Sequence, residues 1–178
     1  MPRHFVNMAK DTIPQAYREL VPEYRSHVFG GLHLTINRWD NRFGREVALV
    51  NPLRASTRCG NYIDQDEVAR VKERLERGKD SSLRFGVSKA GRGYHGERGD
   101  FCLVGGAIDG RHLTLMYRSL ELIGGFGYDL ALVSELCAGL EWEPRGVTIM
   151  AARANVFALK RNSNEKFYPK LRKILELE

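Results

Sequence analysis

A turn signal in the middle of the chain constrains the fold most. Asp109-Gly110 stands between two strand-like runs, residues 101–108 and 112–117, and Asp-Gly between β-prone segments is a strong hairpin signal. A ladder that runs symmetrically about this turn places Cys102 roughly opposite Arg118. A neighbouring guanidinium lowers the pKa of a cysteine thiol from about 8.5 and favours the reactive thiolate. The hairpin therefore predicts a candidate nucleophile and a cation on one face.

Length, cysteine content and charge limit the class of protein. The chain has 178 residues, enough for one domain that buries roughly two thirds of its unfolded surface without disulfides or metals. We predict a single domain over residues 1–178. Three widely spaced cysteines form neither a disulfide framework nor a zinc ligand set, which predicts a cytoplasmic location and no metal. No run approaches the ~20 apolar residues of a membrane span, and the net charge of +6 favours an anionic partner.

Apolar periodicity alternates along the chain between helical and strand spacing. Helical spacing follows a cap at Asp11-Thr12, recurs over residues 64–77 with Gly78 as its stop, and marks residues 128–140 as a buried helix. Strand-like runs cover residues 32–36, 46–50, 83–88 and 147–159, besides the two runs of the hairpin. The pattern predicts an α+β fold in which a sheet carries one central buried helix and peripheral helices.

Residues 102–171 resemble the superfamily of thymidylate synthases and pyrimidine-nucleotide hydroxymethylases. The matching phrases are Cys102-Leu103, Asp109-Gly110, Tyr117-Arg118-Ser119, Gly125-Phe-Gly-Tyr-Asp-Leu-Ala131 and Tyr168-Pro-Lys-Leu171. The interval from cysteine to arginine is four residues shorter here than in the family. Because four is an even number, shortening each strand by two residues keeps every side chain on its face. The resemblance implies a short, divergent member with a thymidylate synthase-like sheet.

The resemblance implies roles for five residues. Cys102 is the nucleophile that adds to C6 of a pyrimidine nucleoside monophosphate, because a thiolate is nucleophilic near neutral pH and leaves again. Arg118 binds the phosphate with help from the Ser119 hydroxyl. Arg42 and Arg84 stand at upstream positions similar to the family's phosphate-binding arginines, and either one is expected to supply a second cation. In this superfamily an arginine is often lent by the other subunit, which implies a homodimer.

Two acidic residues stand at positions where the family has residues that contact the pyrimidine base and the folate cofactor. Asp129 occupies the base-reading position, where a carboxylate accepts from the C4 amine of cytosine, so the resemblance implies a cytosine nucleotide. Glu121 stands where an acid positions the folate ring, which implies 5,10-methylenetetrahydrofolate as the one-carbon donor. The general base is left open among Glu121, Glu135 and His95.

The sequence departs from the family at the sugar and folate positions. Asn155-Val156-Phe157 stands in place of the family's His-x-Tyr, so Asn155 takes the position that contacts the sugar 3′-hydroxyl. No segment resembles the Glu-Leu-Leu-Trp helix that completes the folate site. These departures leave open whether the sugar is ribose or deoxyribose.

Four of the site residues also have a purely structural interpretation. Cys102 would be a small core residue, Arg118 an ion-pair partner of Glu121 or Glu135, Asp129 a helix N-cap and Asn155 a strand-edge hydrogen-bonding residue. The sequence thus predicts a C5 hydroxymethylase-like one-carbon transferase. The alternative is a catalytically inactive protein of the same fold that binds nucleotide, nucleic acid or a partner enzyme. In that case the basic tail from Lys160 would contact nucleic acid.

Overall fold

The computed structural model describes residues 5–16, 30–40, 65–84, 103–121 and 126–155. The strands are β1 (Phe5–Lys10), β2 (Gly31–Ile36), β3 (Ser81–Arg84), β4 (Leu103–Asp109), β5 (His112–Tyr117), β6 (Leu120–Glu121), β7 (Gly146–Ala151) and β8 (Ala154–Asn155), and the helices are α1 (Gln65–Glu76) and α2 (Phe126–Gly139). The predicted α+β class is confirmed. The predicted strand at residues 46–50 and the basic tail lie outside the described residues. The single domain and the cytoplasmic location stay predictions.

Six strands form one mixed sheet in the order β1-β2-β7-β5-β4-β3, and β6 pairs with β8 in a separate two-stranded sheet. The pairs β1–β2 and β5–β7 are parallel, whereas the other neighbours in the large sheet are antiparallel. Strand β1 is absent from the sequence-based prediction. It lies at an edge and buries only Val6, so its sequence lacks a strong apolar alternation.

The hairpin between β4 and β5 is confirmed, but its loop is shifted by one residue. Asp109 pairs with His112, so the two loop residues are Gly110 and Arg111 and not Asp109 and Gly110. Gly110 has a φ of 56°, which suits a two-residue loop that requires a glycine at its first position. The carboxylate of Asp80 accepts a hydrogen bond from the Gly110 amide at 3.0 Å and ties the loop to the end of β3.

A β-bulge near the start of β4 changes the register of the hairpin. Gly105 pairs with Met116, but Leu103 pairs with Tyr117, so Val104 is an extra residue on its strand. An unbulged ladder would continue with Leu103 opposite Arg118. The bulge therefore moves every position before Val104 by one residue relative to β5.

Both described helices lie on one face of the sheet. The central buried helix is confirmed as α2, whose buried side chains are Leu130, Leu132, Val133, Ser134, Leu136 and Cys137. A Cβ at Gly139 would lie 3.3 Å from Val68, which shows that α1 packs against the end of α2. The predicted stop of α1 at Gly78 is also confirmed, because Gly78 has a φ of 66° and the Lys79 amide donates to the Arg74 carbonyl in a glycine-terminated helix end.

The predicted helix start after Asp11-Thr12 is confirmed for residues 13–16. The Gln15 side chain accepts from the amides of Asp11 and Thr12, both at 3.1 Å. This is the half of a capping box in which the side chain at the third helical position accepts from the N-cap amide. Within the described ranges, no helix combines the length and the apolar character that a bilayer span requires.

The prediction of one long strand over residues 147–159 is wrong. Strand β7 ends at Ala151, the chain bends at residues 152 and 153, and β8 begins at Ala154. The Ala152 amide donates to the Tyr117 carbonyl at 3.0 Å, and the Leu120 amide donates to the Arg153 carbonyl at 2.8 Å. The chains after β5 and β7 therefore leave the large sheet together and continue as the pair β6–β8.

Candidate functional site

One edge of the large sheet gathers several of the predicted site residues. Parallel strands β5 and β7 both end there, at Tyr117 and Ala151, which are Cα partners. Strand β4 begins there at Leu103, the partner of Tyr117, and β3 ends there at Arg84, the partner of Gly105. We call this edge the site edge. Arg84 is therefore placed at the same edge as the residues that follow β5, and its side chain lies outside the described part.

Two bends run side by side at the site edge. Residues 118–119 connect β5 to β6, and residues 152–153 connect β7 to β8. The Cα pairs Tyr117–Ala151 and Leu120–Ala154 flank the two bends, so the strands keep the same register before and after them. We call these four residues the paired bends. Their positions are level with each other, Arg118 beside Ala152 and Ser119 beside Arg153.

The paired bends present positive charge. Arg118 and Arg153 are both exposed, and Ser119 is half-buried between the strand ends. Two guanidinium groups and a hydroxyl on adjacent segments can bind a phosphate, since arginine presents a planar set of donors to oxyanions. The structure places Arg118 and Ser119 on one bend and Arg153 on the bend beside it, and the phosphate-binding role of Arg118 and Ser119 stays a prediction.

Arg153 is a candidate residue that sequence reasoning missed. The prediction of an unbroken strand over residues 147–159 made Arg153 an ordinary strand residue. The available signal was the arginine itself, which interrupts the small and apolar run Ala151-Ala-Arg-Ala154. A charged residue in an otherwise buried strand favours a break, because an unpaired buried charge is costly.

Beyond the bends, the structure places two more predicted site residues next to each other. Glu121 and Asn155 are Cα partners in the pair β6–β8. Their side chains lie outside the described part, so the roles of Glu121 toward folate and of Asn155 toward the sugar stay predictions. The shared register shows that both positions belong to the continuation of the paired bends.

Asp129 lies in the first turn of α2, as the fourth residue of that helix. The interpretation of Asp129 as the N-cap is wrong, because the helix begins three residues earlier at Phe126. A carboxylate in the first turn is still favoured by the helix dipole. The side chain of Asp129 lies outside the described part, and its role as base reader stays a prediction.

Cys102 and Arg42 lie outside the described residues. The nearest described neighbour of Cys102 is Leu103, which is buried and pairs with Tyr117. This register is the one that a Cys102–Arg118 pair requires, and it exists because of the bulge at Val104. Without the bulge, the ladder would direct Cys102 toward Ser119.

Cys137 is the cysteine that the structure does describe, and it is an internal packing residue. Its side chain is buried within α2. Burial, with a smaller contribution from the Glu143 carboxylate, raises the pKa of the Cys137 thiol to about 12. A thiol with this pKa stays protonated near neutral pH and does not act as a nucleophile.

No family model and no curated protein matches the sequence. Among solved structures, the chain is similar to the thymidylate synthase from T4 phage, with 10% sequence identity and a TM-score of 0.44 over 91% of this chain and 80% of that chain. The likeness concerns the fold alone. Membership of the family that the sequence motifs suggest stays a prediction.

Proposed function

We propose that the chain is a pyrimidine nucleoside monophosphate C5 hydroxymethylase-like one-carbon transferase that acts on a cytosine nucleotide. The observation that carries the proposal is the register of the hairpin next to Cys102. After the bulge at Val104, Leu103 pairs with Tyr117, which supports a Cys102 thiol opposite the Arg118 guanidinium. The order of sequence motifs from Cys102 to Tyr168 supports the same reaction.

In the proposed reaction the Cys102 thiolate adds to C6 of the pyrimidine ring. The new S–C6 bond takes the electron pair of the thiolate, and the π electrons of the C5–C6 bond move to C5 and the conjugated C4 group. C5 would then bond to the electrophilic carbon of a one-carbon donor and lose its proton to a base, and departure of the carrier with addition of water would complete the hydroxymethyl group. Elimination of the thiolate restores the C5–C6 double bond, so Cys102 is regenerated.

The described residues would hold the substrate by its phosphate. Arg118, Ser119 and Arg153 all belong to the paired bends, and two cations there would match the charge of a monophosphate. The strand ends fix both segments through the Ala152–Tyr117 and Leu120–Arg153 backbone hydrogen bonds. This fixed backbone favours binding, because little loop ordering is needed when the nucleotide arrives. Asp129 would read the C4 amine from the first turn of α2.

The one-carbon donor would be 5,10-methylenetetrahydrofolate, as the sequence resemblance implies. Of the positions that would contact folate, the described part contains only the backbone of Glu121, in β6. The side chain of Glu121 lies outside the described part, so the described residues do not test the fit of a pteridine ring at this position. The thiolate addition and the phosphate contacts therefore define the proposal, and neither step needs the folate.

The release of tritium from C5 of labelled dCMP, CMP and dUMP tests this proposal. Thiolate addition at C6 makes the C5 hydrogen exchangeable, so the wild-type protein should release tritium to water, fastest from a cytosine nucleotide. The Cys102→Ser variant should release at least about 1,000-fold less, as expected when a covalent nucleophile is removed. The control variant Cys137→Ser should retain the activity, because Cys137 is buried in α2.

The same assay separates the two functions that the sequence leaves open. Absence of exchange from every pyrimidine nucleotide, together with tight binding to nucleic acid, would contradict the enzyme and support the inactive binding protein. Exchange that is equal in the wild-type and Cys102→Ser proteins would also contradict the proposed nucleophile.

A further inference from the structure

A row of four side chains crosses the face of the large sheet opposite α1 and α2. Asn7 on β1, His33 on β2, Met150 on β7 and Met116 on β5 are successive Cα partners. Side chains alternate between the two faces along each strand, so residues that are level on neighbouring strands share a face. The side chains of these four residues therefore project side by side from one face of the sheet. We call them the His-Met row.

The burial of neighbouring residues shows that this face is turned away from the core. Leu32 and Leu34, on either side of His33, are 1% and 0% exposed. Met116 and Met150 are instead 44% and 41% exposed, and His33 is half-buried. Methionine is usually among the buried residue types. Two of the four methionines of the chain thus present adjacent thioether groups at a surface.

The His33 ring is held in one orientation by Asn7. Nδ1 of His33 lies 3.0 Å from Oδ1 of Asn7. An amide oxygen only accepts hydrogen bonds, so Nδ1 is the donor and the lone pair of the neutral ring is on Nε2. Because Nδ1 faces β1, the opposite edge of the ring, which carries Nε2, faces β7 and its level residue Met150.

The hydrogen bond between His33 and Asn7 is of the kind that prepares a histidine for a metal ion. Histidines that bind metals almost always donate the N–H of the second ring nitrogen to a carbonyl or carboxylate oxygen. Such a bond fixes the tautomer and the direction of the ring before the metal arrives. His33 therefore offers a directed nitrogen ligand, and this observation is independent of the two methionines beside it.

The two methionine sulfurs can reach the point that the histidine faces. His33 and Met150 are directly opposite each other on antiparallel strands, and the Cβ atoms of such pairs lie about 4.5–5.5 Å apart. Met116 is one strand further, about 4.8 Å beyond Met150. A methionine side chain has three rotatable bonds, so both sulfurs can turn toward a point above Met150. One nitrogen and two sulfur ligands can meet there.

The ligands and their surroundings favour a soft cation. Within the strands, the positions that flank the row on this face are Thr35, Thr148, Thr114 and Gly31, none of which carries a carboxylate. Hard cations such as Mg²⁺ and Ca²⁺ bind through oxygen ligands, whereas thioethers select Cu(I). In the part of the chain that the structure describes, no three His, Cys, Asp or Glu residues form a metal cluster. A metal site there must therefore use methionine.

We propose that Nε2 of His33 and the sulfurs of Met150 and Met116 bind a Cu(I) ion, with Asn7 as a positioning residue. The expectation of no metal followed from the spacing of the cysteines and did not consider thioether ligands. The site uses no residue of the paired bends and does not rest on the proposed reaction. Copper binding is measured without nucleotide, so its failure is distinguishable from a failure of nucleotide exchange.

Anaerobic competition of the full chain with a colorimetric Cu(I) chelator tests the proposal. The background protein is the double variant Cys59→Ser/Cys102→Ser, because thiols outside the row also bind Cu(I), whereas Cys137 is buried in α2. This protein should retain Cu(I) against the chelator. Ag(I), a soft ion of the same charge, should displace the copper, and an excess of Mg²⁺ should not. X-ray absorption at the copper edge should show nitrogen and sulfur ligands.

Loss of any one ligand should weaken copper binding. Met150→Leu and Met116→Leu remove a sulfur and keep the apolar character of the side chain, and His33→Gln removes the imidazole. Each should raise the dissociation constant for Cu(I) at least about 100-fold, which exceeds the roughly 10-fold rise expected when an outer-shell partner is lost in Asn7→Leu. Asn7→Asp keeps an oxygen that accepts from Nδ1 and should restore the affinity of the background protein.

The matched control is Met8→Leu, because Met8 is next to Asn7 on β1 but packs against the core on the other face. This variant should leave the dissociation constant for Cu(I) unchanged. A background protein that loses its copper to the chelator would overturn the proposal, and so would equal affinities in Met8→Leu, Met150→Leu and His33→Gln. A copper spectrum without sulfur ligands would overturn it as well.

Discussion

The two ends of the parallel pair β5–β7 use arginine in different ways. At the hairpin end, the Arg111 guanidinium donates to the Glu143 carbonyl at 3.1 Å, and the Arg111 carbonyl accepts from the Arg145 amide at 2.7 Å. At the site edge, Arg118 and Arg153 are exposed on the paired bends, and main-chain hydrogen bonds join the two segments. At the hairpin end an arginine joins two segments of the fold, whereas the site edge carries two arginines on its surface, where we propose that the phosphate binds.

The largest expected difference between the ends concerns Arg118. Replacing Arg118 by Gln should raise the KM for dCMP in the exchange assay about 10- to 100-fold, since a hydrogen bond to a charged group is worth about 1.5–3 kcal/mol. The control is Arg145→Gln, which removes an exposed arginine at the other end of β7 and should leave KM within about twofold. An equal effect of both changes would show that net charge, and not the site edge, attracts the nucleotide.

A change at the hairpin end should act on stability and not on binding. Gly110 has a φ of 56°, and an L-residue in this conformation costs about 1–2 kcal/mol. Gly110→Ala should lower the free energy of unfolding in urea by this amount and leave the KM for dCMP unchanged. A raised KM with unchanged stability would contradict the division of roles between the ends.

Arg153 should contribute to binding less than Arg118 does. Arg153→Gln should raise KM roughly tenfold, the effect of about 1.4 kcal/mol from one charged contact. Because both arginines would contact one phosphate, the double variant should be less impaired than the product of the single effects predicts. Strict additivity in this double-mutant cycle would place the two residues at separate sites.

The smallest expected effect comes from Cys137, through the pH dependence of stability. The thiol has a pKa of about 12 in the folded protein but about 9 when unfolded, so the unfolded chain loses its proton first. Cys137 therefore contributes stability that is fully present below pH ~9 and falls by at most about 1.4 kcal/mol per pH unit above it. The stability difference between the wild type and Cys137→Ala should shrink between pH 9 and pH 10 in urea unfolding. A constant difference would show that the folded thiol ionises normally.

Local signals determined the parts of the fold that could be predicted. The hairpin depends on Asp109 and Gly110 with apolar alternation on both sides, and α1 depends on apolar spacing and the stop at Gly78. The signals for the hairpin and for α1 lie in residues that are close in sequence, and both elements are confirmed. Strand β1 carries one buried side chain, Val6, and depends on pairing with β2, so its formation is a tertiary effect.

The register of the site edge could not be derived from the sequence. The sequence places Cys102 only roughly opposite Arg118, because a regular ladder about an Asp109-Gly110 loop would pair Cys102 with Tyr117. The observed loop moves the ladder by two positions, and the bulge at Val104 moves it back by one. The adjacent Gly105-Gly106 is the sequence signal for such an irregularity. A Cβ at Gly106 would lie 2.5 Å from the Thr114 carbonyl oxygen, so this close approach requires glycine. Only the three-dimensional structure shows that the loop and the bulge together give the register in which Leu103 pairs with Tyr117.

The paired bends illustrate a second limit. Arg118 and Ser119 were predicted from a motif, whereas Arg153 became a candidate because β7 and β5 end at the same level. Proximity between segments 34 positions apart depends on strand order. Composition and periodicity carry no information about that order.

The rate of alkylation of Cys102 as a function of pH tests the central claim most directly. The measurement uses the folded double variant Cys59→Ser/Cys137→Ser, with and without Arg118→Gln. The account predicts a half-maximal rate well below pH ~8.5 when Arg118 is present and a shift toward that value when it is replaced. A Cys102 that reacts only after unfolding, or a midpoint that does not depend on Arg118, would contradict the account.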